Sequence, residues 1–362
     1  MLQRSMEKQP ESVMVLFEQK FNQGEKMKKL FALALSVVLF FTVLAGFAAV
    51  TVKGANGNIA VVFATGGLGD KSFNDAAYQG LKRAEEELGI KYDYAEPSAV
   101  AEYETFLNRF ASMGKYDLII SIGFDQADAL NTVASQNTNQ KFAIVDAVVD
   151  QPNVASFVYA EKERGFLIGV AAGMMTSKTD DPMINSQKKV GVIGGMKIPL
   201  IDANIAGYIA GAKYVDSEIK VQHSYVGSWA DPSKGKELTV SMIENGVDVI
   251  WQAAGRSGLG VINAAKENGV YAIGADSDQG YLAPEHVLTN GMKFVNNTVF
   301  QAIQGVLNDN LKTGTNVLGV EEKGLGYTRS LLPEDVVKEL EAVKEKIIAG
   351  ELNIPSKIKD AK

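Results

Sequence analysis

The stretch NIAVVFATGGLGDKSFNDAAYQG, residues 58–80, sets the architecture of the chain. It starts with an apolar, β-branched run at 59–63, continues through a loop with three glycines and enters a helical pattern that Asp70 or Ser72 can cap. In an open α/β sheet, ligands bind in the crevice at the carboxyl ends of the strands. We therefore expect this loop to face a binding site.

Three side chains after the glycine loop suggest what that site would hold. Phe73, Asn74 and Asp75 offer an aromatic face, an amide and a carboxylate, which together suit a neutral polar solute that contains a ring. Glycine-rich turns occur in many α/β proteins, however, and a phenylalanine in the first helical turn usually belongs to the core. Both interpretations stay open on these residues alone.

Composition narrows the class of protein. The 362 residues, 46% hydrophobic and 22% charged, suggest about two domains, and the net charge of −7 argues against a nucleic-acid partner. The absence of cysteine excludes disulfides, thiolate chemistry and cysteine metal sites. Only His223 and His286 could supply imidazole. We therefore expect no catalytic residue, no metal and no cofactor.

The beginning of the chain differs from the rest. Residues 1–26 are polar, Met27 and two lysines follow, and 30–50 form an uncharged apolar run. A positive segment before a hydrophobic one is typical of an export signal, so Met27 is the expected start of translation. The run is also long enough to span a bilayer, which leaves an uncleaved anchor open. Residues 1–55 are excluded from the predicted fold.

From residue 56 onward, strand and helix patterns alternate in two series separated by a polar connector at 178–189. This alternation predicts an α/β protein with two doubly wound lobes, each built on a mostly parallel sheet, and a ligand crevice between them. The first series of strands is predicted at 59–63, 91–95, 118–122, 142–146 and 155–159; the second is predicted at 190–193, 221–226, 247–252 and 271–274.

Three loops of the second series carry candidate ligand contacts. Trp229 precedes a helix that begins at Asp231-Pro232, and it either faces the ligand or folds onto its own lobe. Gly255 lies in a glycine-containing loop whose backbone amides can approach a ligand. Asp276 follows a strand, where a carboxylate can accept hydrogen bonds from two neighbouring hydroxyls of a sugar and would repel a phosphate.

Competing functions would need signals that this sequence lacks. The GGLGDKS stretch has Asp70 where a phosphate-binding loop needs glycine before lysine. A nucleoside-processing enzyme would need a metal-binding carboxylate cluster or a dinucleotide fingerprint, and a regulator's effector domain would follow a helix-turn-helix. A binding protein for a sugar or another small polar metabolite remains the alternative within the same class.

Six segments carry a family resemblance: DKSFND (70–75), SIGFDQAD (121–128), KVGVIGGMKIP (189–199), YVGSWADPSKGKE (225–237), AAGRSGLGVINAAKENGVYAIGADSDQ (253–279) and VLTNGMKFV (287–295). With these, the chain resembles the basic membrane protein family, the substrate-binding lipoproteins of ABC importers typified by the bacterial purine nucleoside receptor. The resemblance implies a type I periplasmic-binding-protein fold with two Rossmann-like lobes and a hinge. The expected lobes are 56–161 with 286–312, and 162–285 with 313–362.

The same resemblance implies roles for individual residues. Phe73 and Trp229 would cover a purine base, and Asn74 and Asp128 would bond its edge. Asp276 and Lys293 would take the ribose hydroxyls, with Gly255 close by. The implied partners are a nucleoside and an ABC permease in the membrane, with the chain itself a monomer.

The chain also departs from the family pattern. Phe47 stands near the position of the lipid-bearing cysteine, so we expect an exported periplasmic or cell-surface protein that is not lipidated. An uncleaved N-terminal helix that holds it at the membrane and a free soluble form are the two alternatives. Gly69 replaces a common aspartate, and Trp229 replaces the usual phenylalanine. Arg256 stands where a small residue is typical and could change ligand choice.

Overall fold

Two six-stranded sheets flanked by helices make up residues 57–361, the part of the chain that the computed structural model describes. The predicted leader at 1–55 lies outside these residues. No helix within residues 57–361 combines the length and apolar character that a membrane span requires.

The first sheet is entirely parallel, with the order β11-β5-β4-β3-β1-β2. Its central strands are buried on both faces, which explains why they appear in the sequence as continuous apolar runs. The strands are β1 (Asn58–Val62), β2 (Lys91–Ala95), β3 (Leu118–Ile122), β4 (Phe142–Val145), β5 (Val154–Tyr159) and β11 (Gly314–Leu318). The helices of this lobe are α1 (Phe73–Leu88), α2 (Tyr103–Ser112), α3 (Ala127–Gln136) and α8 (Val295–Leu307).

The second sheet has the order β12-β10-β9-β8-β6-β7, and only β12 runs antiparallel to its neighbour. The fold class predicted from the sequence is thereby confirmed. The strands are β6 (Lys189–Gly194), β7 (Lys220–Tyr225), β8 (Val249–Ala253), β9 (Tyr271–Asp276), β10 (Val287–Lys293) and β12 (Leu325–Tyr327). The helices are α4 (Glu161–Thr176), α5 (Pro199–Val215), α6 (Pro232–Glu244), α7 (Gly258–Glu267) and α9 (Glu334–Ile348).

Three crossings join the two lobes: one between β5 and α4, one between β10 and α8, and one between β11 and β12. The last two differ from the predicted boundaries at 286 and 312. Strand β10 pairs with β9 and so belongs to the second lobe. Strand β11 pairs with β5 and so belongs to the first. The chain therefore changes lobes after Lys293 and after Leu318, because strand pairing decides the boundary.

Helices α4 and α5 pack with their backbones almost in contact. A Cβ atom on Gly165 would lie 2.1 Å from the carbonyl oxygen of Asn204, and one on Gly207 would lie 2.1 Å from that of Lys162. Any larger residue at these glycines would force the helices apart. This close approach fixes the first turns of α4, which supply charged side chains to the crevice.

Candidate ligand-binding crevice

A crevice lies between the lobes, where the strands of both sheets reach their carboxyl ends. Its empty volume is about 640 Å³, including the part open to solvent. Its walls come from the loops after β1, β3, β4, β7 and β8, from the last residues of β9 and β10, and from the first turns of α1, α4 and α5. The polar, charged and aromatic side chains that line it include Asp70, Phe73, Asn74, Phe124, Asp125, Asp146, Arg164, Trp229, Arg256, Asp276 and Lys293.

Asp70 is the cap of helix α1. Its carboxylate accepts hydrogen bonds from the backbone N–H groups of Ser72 (2.9 Å), Asn74 (2.8 Å) and Asp75 (3.1 Å), while the Ser72 side chain caps nothing. Burial raises the pKa of Asp70 to about 6, against the lowering effect of these hydrogen bonds. The cap holds the start of α1 at the crevice wall.

The two residues after Phe73 have different tasks. Asn74 Oδ1 accepts from the backbone N–H of Ala64 at 3.0 Å, which leaves its amide NH₂ for another partner. Asp75 accepts from the backbone N–H groups of Gly69 (2.6 Å) and Lys71 (3.0 Å). Asp75 thus holds the glycine loop in shape and does not line the crevice, unlike the ligand contact expected from the sequence.

Three aromatic side chains, Phe73, Phe124 and Trp229, line the crevice. The Trp229 ring lies directly over two glycines, since a Cβ on Gly195 would be 2.3 Å from Trp229 Cε3 and one on Gly255 would be 3.7 Å from it. Gly195 therefore leaves space that the indole occupies, whereas a Cβ on Gly255 would only touch the ring at van der Waals distance. Sequence reasoning missed Phe124, although an aromatic residue directly after strand β3 was a usable signal.

Asp125, not Asp128, reaches the crevice from the loop after β3. Asp128 is exposed on α3 and does not line the crevice. Asp125 accepts a hydrogen bond from the Tyr103 hydroxyl at 3.1 Å, and burial raises its pKa. Asp125 lies in the short 3-10 turn Phe124–Gln126 that follows β3, whereas Asp128 lies beyond that turn, on helix α3.

Lys293 is the centre of a buried charged cluster. Its Nζ lies 2.6 Å from Asp146 Oδ2 and 2.7 Å from Glu161 Oε1, and 5.1 Å from the centroid of the Phe73 ring. Only 2% of the lysine is exposed. Burial disfavours its charged form, but Asp146 and Glu161 outweigh that effect and raise the pKa of Lys293. The ammonium therefore stays protonated.

Arg164 continues the cluster toward Asp276. Its Nη2 lies 2.8 Å from Glu161 Oε2, its Nη1 donates to Asp276 Oδ1 at 2.6 Å, and its Nε donates to Asn204 Oδ1 at 3.0 Å. Asp276 Oδ2 also accepts from the Ser72 hydroxyl of the other lobe at 2.6 Å. Asp276 adopts a left-handed backbone (φ +66°), a conformation that aspartate tolerates better than most residues.

The cluster has an excess of negative charge. When all five groups are ionised, three carboxylates face two cations; these groups are Asp146, Glu161, Asp276, Arg164 and Lys293. Burial raises the pKa of Asp146 to about 6 although Lys293 opposes the shift, whereas Arg164 and Lys293 overcome burial and lower the pKa of Glu161. Such a surface favours neutral hydroxyl groups over a phosphate.

Further hydrogen bonds cross the crevice besides the one that Ser72 donates. Gln279 Nε2 donates to the carbonyl oxygen of Lys71 at 2.9 Å, and Arg256 Nη2 donates to that of Leu68 at 2.6 Å. These donors belong to the second lobe and the acceptors to the glycine loop of the first. The lobes are therefore in a closed arrangement, with the crevice between them.

The structure thus brings six of the eight predicted site residues to the crevice wall: Phe73, Asn74, Trp229, Gly255, Asp276 and Lys293. Sequence reasoning missed Asp146, Glu161 and Arg164, which complete the charged cluster. Within residues 57–361, no group of three or more acidic or histidine side chains is arranged to hold a metal ion.

Two α/β lobes joined by three crossings, with a polar crevice at the facing strand ends, define a solute-binding protein with the type I periplasmic-binding-protein fold. Residues 58–357 match the family model Bmp, described as ABC transporter substrate-binding protein PnrA-like. The chain therefore belongs to the Bmp family of ABC transporter substrate-binding proteins.

Individual relatives agree with this assignment. Basic membrane protein A of Borreliella afzelii is 35% identical over 300 residues, which cover 80% of this chain and 89% of the relative. The ABC transporter nucleoside-binding protein BmpA of Lactococcus lactis subsp. cremoris is 33% identical over 363 residues, which cover 91% of this chain and 99% of the relative. A crystal structure of an ABC transporter solute-binding protein from Aeropyrum pernix K1 has a TM-score of 0.77 at 30% identity, covering 84% of this chain and 95% of that one.

Proposed function

We propose that this protein binds a purine nucleoside in the crevice and presents it to an ABC permease, without chemical turnover. The observation that carries the proposal is one crevice lined both by three aromatic side chains and by a charged cluster with excess carboxylate. A nucleoside combines the matching groups, a flat heterocycle and a neutral diol. The name of the Lactococcus relative, which is called nucleoside-binding, supports the same ligand class.

In this proposal the base lies among Phe73, Phe124 and Trp229. Stacking a base on aromatic rings contributes about 1–3 kcal/mol per base, whereas micromolar affinity needs about 8 kcal/mol. Polar contacts must therefore supply much of the difference. The free amide NH₂ of Asn74 and the carboxylate of Asp125 are the groups that would bond the edge of the base, so Asp125 takes the role predicted for Asp128.

The ribose would lie against the charged cluster. Lys293 has three N–H donors and uses two of them on Asp146 and Glu161, so one remains for a hydroxyl oxygen. Each carboxylate oxygen of Asp276 accepts one hydrogen bond within the protein and can accept another. A 5′-phosphate would meet the excess negative charge and be rejected.

Binding would select the closed arrangement, because the ligand contacts both lobes only when they are together. The permease would then recognise the closed surface. We further propose that the protein is exported, as the apolar run at 30–50 indicates, and that it works as a monomer.

Isothermal titration calorimetry of the purified protein with inosine, guanosine and adenosine tests the proposal. We expect micromolar or tighter dissociation constants, and binding weaker by about a hundredfold or more for the 5′-monophosphates because of like-charge repulsion. Tight binding of a free sugar without binding of any nucleoside would favour the sugar-binding alternative. Release of free base during incubation would instead indicate an enzyme.

A further inference from the structure

We propose that Arg256 makes the crevice selective for 6-oxopurine nucleosides, such as inosine and guanosine, over adenosine. This inference rests on the proposed nucleoside function and names the ligand more narrowly. It follows from where the guanidinium lies, from which of its donors is unused and from what surrounds it.

Arg256 reaches across the crevice. It follows β8 in the second lobe, lines the cavity and donates from Nη2 to the carbonyl oxygen of Leu68 in the glycine loop of the first lobe. A Cβ atom on Gly69 would lie 3.8 Å from the same Nη2, so the guanidinium lies against this loop. The bond to Leu68 fixes the plane of the guanidinium only when the lobes are closed.

One donor of this guanidinium is buried and unused. Within residues 57–361, Arg256 Nε has no hydrogen-bond partner, although it is inaccessible to solvent. A buried donor without a partner is costly, and for a charged group the cost is larger still. A ligand acceptor in the crevice would remove that cost, which makes the group a source of specificity.

The geometry of arginine tells us which acceptor fits. The Nε–H and one N–H of Nη2 point the same way along one edge of the planar guanidinium, and Nη2 has a second hydrogen for Leu68. This edge matches two adjacent acceptors, and the O6 and N7 atoms of a 6-oxopurine are such a pair. Adenine offers an amino donor in place of O6, so one N–H of arginine would face another donor.

The surroundings of Arg256 agree with a base at this position. The neighbouring Gly255 lies under the Trp229 ring, whose Cε3 would be 3.7 Å from a Cβ there. Asn74 Nδ2 would be 4.0 Å from a Cβ on Gly66, which also approaches the Trp229 Cβ at 3.8 Å. Trp229 thus lies against the residue that precedes Arg256, and Trp229 and the Asn74 amide both lie beside Gly66, two residues before the Leu68 carbonyl that the guanidinium contacts. The charged cluster around Lys293 remains for the sugar.

The test is calorimetric binding of inosine, guanosine, 7-deazaguanosine and adenosine to the wild-type protein and to Arg256→Gln and Arg256→Lys. We expect the wild type to bind inosine and guanosine about tenfold to a hundredfold more tightly than adenosine, as a bidentate arginine contact discriminates elsewhere. The wild type should bind 7-deazaguanosine, which lacks N7, about tenfold more weakly than guanosine. In Arg256→Gln the preference over adenosine and the effect of N7 should both fall to less than about threefold.

Ser277→Ala is the matched control. The Ser277 hydroxyl also donates across the crevice, to the carbonyl oxygen of Ser72 at 3.3 Å, but it does not line the cavity. Its loss should weaken all four ligands equally, since it affects closure alone. If Arg256→Gln behaves like Ser277→Ala and keeps the wild-type preference, Arg256 is only a closure contact and the inference fails. If no nucleoside binds the wild type at millimolar concentration, the proposed function fails instead.

Discussion

Replacing Asp276 by asparagine should weaken nucleoside binding while preserving the fold. Asparagine has nearly the same shape and tolerates the left-handed backbone at φ +66°, so the substitution removes the charge and little else. The carboxylate accepts from Arg164 at 2.6 Å and from Ser72 at 2.6 Å. The amide can keep one of these bonds but presents an NH₂ group where the other oxygen stood.

The expected magnitude follows from these contacts. A hydrogen bond to a charged group contributes about 1.5–3 kcal/mol, so loss of one bond to a ribose hydroxyl should weaken binding by about tenfold to 150-fold. The effect on folding should be smaller than the about 3–5 kcal/mol that an orphaned buried charge costs. Arg164 keeps a second carboxylate, Glu161, at 2.8 Å and Asn204 at 3.0 Å.

A double-mutant cycle identifies the partner of Asp276. Calorimetry would compare inosine with 2′-deoxyinosine and 3′-deoxyinosine on the wild type and on Asp276→Asn. If Asp276 holds a hydroxyl, removing that hydroxyl should weaken binding to the wild type and have little effect on the variant, with a coupling free energy above about 1 kcal/mol. Asp278→Asn is the control, because Asp278 is exposed in the same turn and does not line the crevice. If removing a ribose hydroxyl weakens binding to the wild type and to Asp276→Asn by the same factor, the contact between Asp276 and the ribose is refuted.

Three further outcomes are expected. Trp229 fluorescence should change on addition of a purine nucleoside. The signal is specific because the only other tryptophan, Trp251, is fully buried and donates a hydrogen bond to the Gly274 carbonyl. An unchanged emission spectrum at saturating ligand would count against stacking of the base on Trp229. Gly195→Ala should weaken binding by at least about tenfold, since the new Cβ would stand 2.3 Å from Trp229 Cε3 and push the ring toward the ligand. Burial raises the pKa of Asp248 to about 6, so the folded protein binds more protons than the unfolded one between about pH 4 and 6, and this contribution to stability is lost as pH rises through 6. The Tm of the wild type should therefore fall relative to the Tm of Asp248→Asn between about pH 5 and 7.5. Parallel curves of Tm against pH for the two proteins would contradict the raised pKa.

Much of the fold could be predicted because strands that are buried in a parallel sheet appear in the sequence as short runs of apolar residues. Strand β3 was predicted at 118–122 and observed at Leu118–Ile122, and β8 was predicted only two residues early at its start. The strands that were missed lack that signal. Strand β12 has three residues, β11 is largely exposed, and β10 contains polar residues such as Asn290. Without these strands, two of the three crossings could not be placed.

The site divides in the same way between local and distant information. Asn74 and Asp276 could be proposed from local sequence, because Asn74 begins the helix after the glycine loop and Asp276 ends a strand. The partners in the charged cluster could not, since Arg164 meets Asp276 across 112 residues and Lys293 meets Asp146 across 147. No periodicity or spacing connects such pairs. The family resemblance suggested Lys293, but nothing in it named the carboxylates that hold its charge.

The position of the charged cluster has a consequence for how its variants are interpreted. Glu161 begins the helix that follows the first crossing, and Lys293 ends the strand that precedes the second. Their ion pair thus joins the two segments about which the lobes would rotate. Lys293 Nζ lies 2.7 Å from Glu161 Oε1, and both side chains are almost fully buried. A substitution in the cluster therefore changes the closing equilibrium as well as any contact with the ligand. A larger dissociation constant for one ligand cannot by itself distinguish a shifted closing equilibrium from a lost ligand contact. A smaller closed population lowers the affinity for every ligand by the same factor. A contact changes the affinities of two ligands that differ in one hydroxyl by different factors, and only that difference assigns a role in recognition.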